Sequence, residues 1–177
     1  MKDLHGLTIG VVGLGDSGLS ALRWLARRGA RLVAIDSRTA PPHLAELAQL
    51  APEAELRAGP FSVDSFAGCQ LLVVSPGVPL ATPQIVAFAQ AGGEVIGDVE
   101  LFARAIAGQA SKVIAITGSN GKTTVTSLVG HLCQHAGLNT VVAGNIGLPV
   151  LDALCDIEDS GVWPEAFVLE LSSFQLE

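Results

Sequence analysis

Charged residues are scarce in this sequence, and basic residues are the scarcer kind. Only 15% of the 177 residues are charged, and 10 basic against 17 acidic side chains give a net charge of −7. Nucleic acids are bound mainly through clustered Lys and Arg, so this balance argues against a nucleic-acid partner. Small anionic ligands held at local sites remain compatible with it.

Cysteines are few, and long apolar runs are missing. Cys69, Cys133 and Cys155 are odd in number and lack CxxC spacing, so we expect free thiols rather than disulfides or a zinc site. No apolar run reaches the roughly 18–20 residues that cross a bilayer. The N-terminal LTIGVVGLG runs straight into Asp16 without a cleavage pattern, which favours a strand over a signal peptide. We therefore expect a cytoplasmic protein without a membrane span.

The first part of the chain alternates short apolar, β-branched runs with amphipathic stretches. This alternation predicts a βαβ series, and the 49% hydrophobic content suits parallel strands covered on both faces. Residues 52–66 carry no clear pattern. The predicted strands are Thr8–Val12, Arg31–Ile35, Leu71–Val74 and Glu94–Ile96, and the predicted helices are Gly18–Arg28, His43–Leu50, Thr82–Ala91 and Val99–Ile106.

A second βαβ pattern begins after the polar segment GQAS at 108–111. We predict a Rossmann-like domain over residues 1–107 and the first part of a P-loop ATPase-type α/β domain over 108–177. Two or three strands make a poor parallel sheet, so we interpret the chain as truncated. The predicted elements are a strand at Val113–Thr117, a helix at Lys122–His135, a strand at Asn139–Ala143, a short helix after a loop at 144–149, and a strand at Ala166–Leu171.

The segment TGSNGKTT at 117–124 lies between a predicted strand and a predicted helix. There, backbone N–H groups and a helix N-terminus converge on phosphate, with Lys122 adding positive charge as the candidate catalytic residue. Thr123 is placed to bind Mg²⁺ through its hydroxyl. Two residues rather than the usual four separate the glycines, and the alternative is a turn that merely caps a helix. The candidate nucleotide-binding residues are Gly118, Ser119, Asn120, Gly121, Lys122, Thr123 and Thr124.

A second glycine loop, GLGDSG at 13–18, fits GxGxxG after the first strand. Asp36 ends the next strand, where a ribose-binding acid stands in dinucleotide-binding domains. Taken alone, this pattern indicates NAD, although a tight strand-to-helix turn also needs such glycines. Asp16 would lie close to a pyrophosphate, and an acid there is unfavourable unless it turns away. The ligand of this loop therefore stays open from the pattern alone.

With these pieces located, the whole chain resembles the N-terminal part of the Mur ligases of peptidoglycan synthesis. The last two motifs below point to the branch of the family that adds D-glutamate. The motifs are GLGDSGLS at 13–20, SPGVP at 75–79, GDVELF at 97–102, ITGSNGKTT at 116–124, GNIGLP at 144–149 and LELSSFQLE at 169–177.

This resemblance implies that the first domain holds the UDP of a sugar substrate instead of NAD. Lys122 and Thr123 keep the roles given above, and Glu170 matches the family's carboxylate ligand to Mg²⁺, at the carboxyl end of an apolar strand. By position, the substrate-binding residues are Asp16 and Ser17 at the phosphates, Asp36, Ser37, Arg38 and Gly77 near the uracil, and Asn145 near the metal.

The resemblance further implies an ATP-dependent ligase that joins UDP-N-acetylmuramoyl-L-alanine to D-glutamate through an acyl phosphate. Such catalysis needs positioning and charge neutralisation rather than a protein nucleophile. The family's other catalytic groups would lie beyond Glu177, so we expect this fragment alone to be inactive and the full-length protein to be a monomer. The alternatives are an NAD-dependent oxidoreductase, resting on the first loop, and a non-catalytic nucleotide-binding module.

Overall fold

The structure, a computed structural model, describes residues 3–176 and contains two parallel β-sheets. The strands predicted in the first sheet are confirmed to within one residue at each end. Its elements are β1 (Thr8–Val12), α1 (Asp16–Ala26), β2 (Arg31–Asp36), α2 (Leu44–Leu50), β3 (Glu55–Ala58), a 3₁₀ turn at Val63–Phe66, β4 (Leu71–Val74), α3 (Pro83–Gln90), β5 (Glu94–Gly97) and α4 (Asp98–Ala105).

The strand order of the first sheet is β3-β2-β1-β4-β5, so the chain reverses direction across the sheet between β1 and β4. Ligands of open α/β sheets bind in the crevice at the carboxyl ends of the strands at such a reversal. Strand β3 lies in the stretch that showed no clear pattern. Its sequence ELRA is mostly exposed at the sheet edge, so it lacks the apolar run that marks the interior strands.

The second sheet has the order β6-β8-β7, with β8 in the centre and buried along its whole length. The strand and helix pattern predicted here is confirmed, with strand ends shifted by one residue. Its elements are β6 (Lys112–Ile116), α5 (Lys122–His135), β7 (Thr140–Gly144), α6 (Val150–Ser160), β8 (Ala166–Glu170) and a 3₁₀ turn at Ser173–Leu176.

One hydrophobic core joins the two sheets. It contains residues of α1 and α4 from the first half of the chain and of α6 and β8 from the second half. The rings of Phe102 on α4 and Phe167 on β8 meet edge to face, with centroids 5.1 Å apart. Both side chains are almost completely buried, so the halves are held together by apolar contact.

Ion pairs line the outer side of this junction, between α1 and α6. Arg23 pairs with Asp152, Arg27 with Asp159 and Arg28 with Glu158. These pairs are partly exposed, and ion pairs near a protein surface contribute only about 0–1 kcal/mol each, less than a buried aromatic side chain. We therefore regard them as fixing the relative orientation of α1 and α6, while the core supplies the cohesion.

Two further expectations concern cysteines and membranes. Cys69, Cys133 and Cys155 are free thiols, as predicted. No helix within residues 3–176 is long and apolar enough to cross a membrane.

We expect Phe102→Ala to lower the free energy of unfolding by about 3–5 kcal/mol, because it removes a buried aromatic ring from the shared core. Chemical denaturation followed by circular dichroism measures this change. Phe174→Ala is the matched control, since that ring is 63% exposed and its removal should cost far less. Equal losses in both variants would contradict the account of the shared core.

Candidate functional site

A cleft of about 470 Å³ opens at the carboxyl ends of β1, β2 and β4, where the strand order reverses. Residues from the first glycine loop, from the end of β2 and from the segment after β4 line it, and one residue comes from the second half of the chain. All seven predicted substrate residues line this single cleft: Asp16, Ser17, Asp36, Ser37, Arg38, Gly77 and Asn145. Their contacts with a ligand remain a prediction.

The first glycine loop makes a tight turn into α1. Gly13 has φ 91°, which favours glycine, and its N–H donates to the Ile35 carbonyl at 2.8 Å. A Cβ at Gly18 would lie 1.9 Å from the Gly13 carbonyl oxygen, so the helix start packs directly on the loop. The buried Ser75 hydroxyl donates to that same carbonyl at 2.7 Å. Sequence reasoning gave SPGVP as a motif but no role for its serine.

Asp36 is a buried carboxylate whose two oxygens accept four hydrogen bonds from protein donors. The Leu14 N–H donates at 2.7 Å, and Arg38 donates through its backbone N–H, Nε and a terminal guanidinium nitrogen at 2.6–2.9 Å. Burial opposes ionisation, but the Arg38 and Leu14 hydrogen bonds outweigh it and lower the pKa of Asp36 to about 2. Asp36 therefore ties the glycine loop to the segment after β2.

Asp16 and Ser17, at the start of α1, have different neighbours. The Asp16 carboxylate pairs with the imidazole of His43 at 3.0 Å. The Asp98 carboxylate accepts a hydrogen bond from the Gln175 amide at 3.3 Å, and Ser17 lies close enough to Asp98 to lower its pKa. Burial raises the pKa of Asp98, although these hydrogen bonds partly oppose that effect.

Asp98 is the first residue of α4 and accepts from Gln175, so it connects α4 to the 3₁₀ turn that follows β8. Gln175 belongs to the LELSSFQLE motif, whose last residue, Glu177, lies outside the described residues.

The predicted phosphate loop connects β6 to α5 and is open to solvent. Gly118 has φ 148° and Gly121, the residue before α5, has φ 74°, so both glycines adopt conformations that other residues rarely take. Lys122 begins α5, and its amine donates to the Gly118 carbonyl at 2.8 Å. The loop thus presents a lysine and the free N–H groups of a helix N-terminus on one side, an arrangement suited to phosphate.

Glu170 ends the central strand β8 between two loops. Its register partners are Ile116, just before the phosphate loop, and Gly144, the first residue of the GNIGLP loop. The Glu170 side chain is buried, one oxygen accepts from the Asn145 amide at 3.1 Å, and the other has no hydrogen-bond partner among the described residues. A buried carboxylate without a partner is unfavourable, so this oxygen fits a cation ligand.

Mg²⁺ suits this donor set. Within residues 3–176, no cluster of three or more His, Cys, Asp or Glu side chains could hold a metal ion by itself. Mg²⁺ commonly takes only one or two protein oxygens and completes its shell with water and substrate phosphates. Thr123 and Glu170 are the residues that would hold it, Thr123 from the first turn of α5 and Glu170 from the end of β8.

Asn145 connects the two loops and the cleft. Its backbone N–H donates to the Glu170 carbonyl at 2.9 Å, and its side-chain amide donates to the Glu170 carboxylate. Asn145 also lines the cleft described above. Gly144 makes this approach possible, because a Cβ there would lie 2.3 Å from the Glu170 carbonyl oxygen. A substrate in the cleft and a nucleotide at the phosphate loop would therefore both lie close to this Asn–Glu pair.

Two parallel sheets, one with a glycine-loop cleft and one with a phosphate loop, define a nucleotide-binding α/β protein. Comparisons with known families are more specific. Residues 7–97 match the N-terminal domain of Mur ligases of the MurD-like type, and residues 116–177 match the Mur ligase middle domain. The chain therefore belongs to the Mur ligase family.

Two similar curated proteins carry the same enzyme name. A UDP-N-acetylmuramoylalanine--D-glutamate ligase from Chromobacterium violaceum is 64% identical over 94% of this chain, and one from Methylobacillus flagellatus is 56% identical over all of it. The chain spans only 37% and 38% of the lengths of these two relatives.

Solved structures support the same fold. A murein peptide ligase from Psychrobacter arcticus matches 96% of this chain and 39% of its own chain, with a TM-score of 0.57 and 20% identity. A UDP-N-acetylmuramate-alanine ligase from Thermotoga maritima matches 94% of this chain and 37% of its own, with a TM-score of 0.53 and 20% identity. At this identity the likeness concerns the fold alone, and it confirms the predicted α/β class.

We expect Gly18→Ala to destabilise the protein by about 1–3 kcal/mol, because the new methyl group would overlap the Gly13 carbonyl oxygen and force the backbone to move. Thermal or chemical unfolding measures the loss. Gly15→Ala is the matched control from the same loop, since no atom lies within 4 Å of a Cβ there. A loss at Gly15 as large as at Gly18 would refute the proposed close packing.

Asp36→Asn should cost about 2 kcal/mol of stability at pH 7, because the ionised carboxylate is favoured in the folded state. The folded pKa of about 2 lies below the ordinary value of 3.8, so this stabilisation is complete above about pH 4 and is lost as the pH falls toward 2. Urea unfolding of wild type and variant at pH 7 and pH 3 measures the difference, which should shrink at pH 3.

Asp156→Asn, at an exposed position on α6, serves as the control for the Asp36 experiment and should change stability little at either pH. A constant Asp36→Asn effect across this pH range would contradict the role assigned to the ionised carboxylate.

Proposed function

We propose that this chain forms the UDP-sugar cleft and part of the ATP site of a ligase that adds D-glutamate to UDP-N-acetylmuramoyl-L-alanine. The observation that carries the proposal is the Asn145–Glu170 pair, which connects a cleft lined by all seven predicted substrate residues to the strand beside the phosphate loop. The names of the curated relatives favour this substrate over others.

In this proposal the first cleft binds the UDP part of the sugar substrate. The backbone around Gly77 and the segment Ser37–Arg38 would contact the uracil side, and Ser17 would lie near the phosphates. Asp36 acts mainly by holding Arg38 and the glycine loop in place, since a direct contact with a ligand would have to replace one of its four hydrogen bonds. Asn145 would contact the substrate at the end nearer the second sheet.

The phosphate loop and Glu170 form the chain's part of the ATP site in this proposal. Residues 118–124 would surround the phosphates, and Lys122 would turn its amine from the Gly118 carbonyl to the β and γ groups. Thr123 and Glu170 would hold Mg²⁺, which when bound supplies positive charge against the phosphate oxygens. Asn145 keeps the Glu170 carboxylate oriented, because it donates to the oxygen that would not face the cation.

The proposed reaction is the ATP-dependent formation of an amide bond. The terminal carboxylate of the sugar substrate attacks the γ-phosphorus of ATP, which yields an acyl phosphate and ADP. The amine of D-glutamate then displaces phosphate and forms the amide. Residues of this chain would position the carboxylate and the triphosphate and balance their charge, which is what phosphoryl transfer mainly requires.

The domain division and setting belong to the same proposal. We propose a boundary at residues 107/108, supported by the separate sheets that end at Gly97 and begin at Lys112. We also propose a cytoplasmic protein that is a monomer when full length. Because the chain spans under two fifths of the two relatives compared above, we propose that it needs the remaining part for turnover.

An NAD-dependent oxidoreductase is the alternative that the first loop raised. In dinucleotide-binding domains the acid after β2 accepts a hydrogen bond from a ribose hydroxyl. Here the corresponding acid, Asp36, already accepts four hydrogen bonds from the protein. The match to the Mur ligase middle domain over residues 116–177 also disfavours this alternative.

Calorimetric titration of the purified chain tests the cleft assignment. We expect UDP-N-acetylmuramoyl-L-alanine to bind, excess UDP to compete with it, and NADH not to bind under the same conditions. Binding of NADH without the UDP-sugar would replace the proposal with the oxidoreductase. Binding of neither compound would refute the assignment of this cleft.

Lys122→Ala should weaken Mg·ATP binding by about 10- to 100-fold, since it removes a charge-assisted hydrogen bond to phosphate. Titration with ATP in the presence of Mg²⁺ measures the loss. Lys112→Ala is the matched control, because Lys112 starts β6 at the end of the strand away from the loop. UDP-sugar binding should be unchanged in both variants, and equal losses of ATP affinity in both would contradict the phosphate-loop assignment.

A further inference from the structure

The cleft proposed for UDP contains an unexpected negative charge. Asp16 is the first residue of α1 and lines the cleft, where a diphosphate would bring further negative charge. A carboxylate turned toward such a ligand would repel it. The Asp16 side chain is 83% exposed, so packing against neighbouring residues does not fix its position.

The His43 side chain contacts the carboxylate of Asp16. Its Nε2 lies 3.0 Å from Asp16 Oδ1, and its Nδ1 lies 3.3 Å from Glu46 Oε1 on α2. Because both ring nitrogens face carboxylate oxygens, both contacts are hydrogen bonds when each nitrogen carries a proton. The imidazole ring therefore stands between the two acids.

The backbone of His43 is unusual as well. Among residues 3–176 it alone, apart from glycines, has a positive φ, 64°, immediately before α2. A non-glycine residue in this region carries a cost of about 1 kcal/mol or more, so a glycine would suit the backbone better. His43 therefore carries a side chain at a position where the backbone conformation favours glycine.

We propose that His43 is a positioning residue of the UDP cleft, which holds the Asp16 carboxylate through a hydrogen bond so that the cleft accepts a diphosphate. This inference rests on the function proposed above. Arg38, which lines the cleft, is already paired with Asp36, whereas His43 faces Asp16. Without it, the free carboxylate of Asp16 would stay beside the phosphates.

Four proteins test the inference: wild type, His43→Gly, Asp16→Asn and the double variant. Glycine is chosen because it removes the imidazole and relieves the positive φ, so loss of fold cannot explain weaker binding. UDP alone is the probe, titrated by calorimetry. We expect His43→Gly to weaken UDP binding about two- to fivefold when residue 16 is Asp. The same substitution should have no effect when residue 16 is Asn.

Salt provides a second readout that a purely structural role would not change. The affinity ratio between wild type and His43→Gly should approach one at about 1 M NaCl, where the screening length falls to about 3 Å. A salt-independent ratio would contradict a charge effect, and thermal unfolding of all four proteins checks that they remain folded.

The outcomes separate this inference from the proposed function. If wild type binds UDP and His43→Gly binds equally well, the role of His43 is wrong while the cleft assignment stands. If His43→Gly weakens binding equally with Asp16 and with Asn at position 16, His43 contacts the ligand itself and the role assigned to it through Asp16 is refuted. If wild type does not bind UDP, the cleft assignment fails and the inference fails with it.

Discussion

The packing of α1 and α4 against α6 and β8 is the contact on which the candidate site depends. Asn145 follows a strand of the second sheet, and the glycine loop follows a strand of the first. They are more than a hundred positions apart in sequence, yet both line one cleft. The shared core, with Phe102 against Phe167, holds the two sheets next to each other. The ion pairs along α1 and α6 add orientation at little energetic gain. The geometry of the candidate site, which forms between the two sheets, thus depends on core packing outside the cleft itself.

Three buried acids show how hydrogen-bond partners decide the role of a carboxylate. Asp36 has four protein donors and a lowered pKa, so it serves as scaffold. Glu170 has a donor on one oxygen and none of the described groups on the other, which leaves a coordination position. Asp98 is desolvated and has a raised pKa, and it accepts a hydrogen bond from Gln175. All three stand at or next to a strand end, so position along the chain alone would not separate them.

Much of the fold could be predicted from the sequence because parallel strands buried on both faces leave a local record. The apolar runs of β1, β4 and β8 and the glycine-rich turns after β1 and β6 are visible in a single sequence. Strand β3 was missed, since a short exposed edge strand such as ELRA carries no apolar run. The candidate site residues that belong to contiguous motifs could also be proposed from the sequence.

Contacts between distant segments could not be predicted. Ser75 holds the Gly13 carbonyl from 62 positions away, and Gln175 reaches Asp98 across 77. The pairing of His43 with Asp16 depends on a left-handed backbone that no pattern in PPHL indicates. Each of these contacts follows from tertiary geometry, for which one sequence without relatives holds no local signal.

The exposed connection between the two sheets, residues 107–110, has a consequence for how the molecule would respond to a protease. A cut there would break the chain at an exposed segment, yet α1, α4, α6 and β8 would still share one core. The two pieces would remain bound as a nicked complex and would separate only on unfolding. Continuity of the polypeptide and cohesion of the fold are therefore independent properties in this protein, because the pieces that a linker joins are also joined by their side chains.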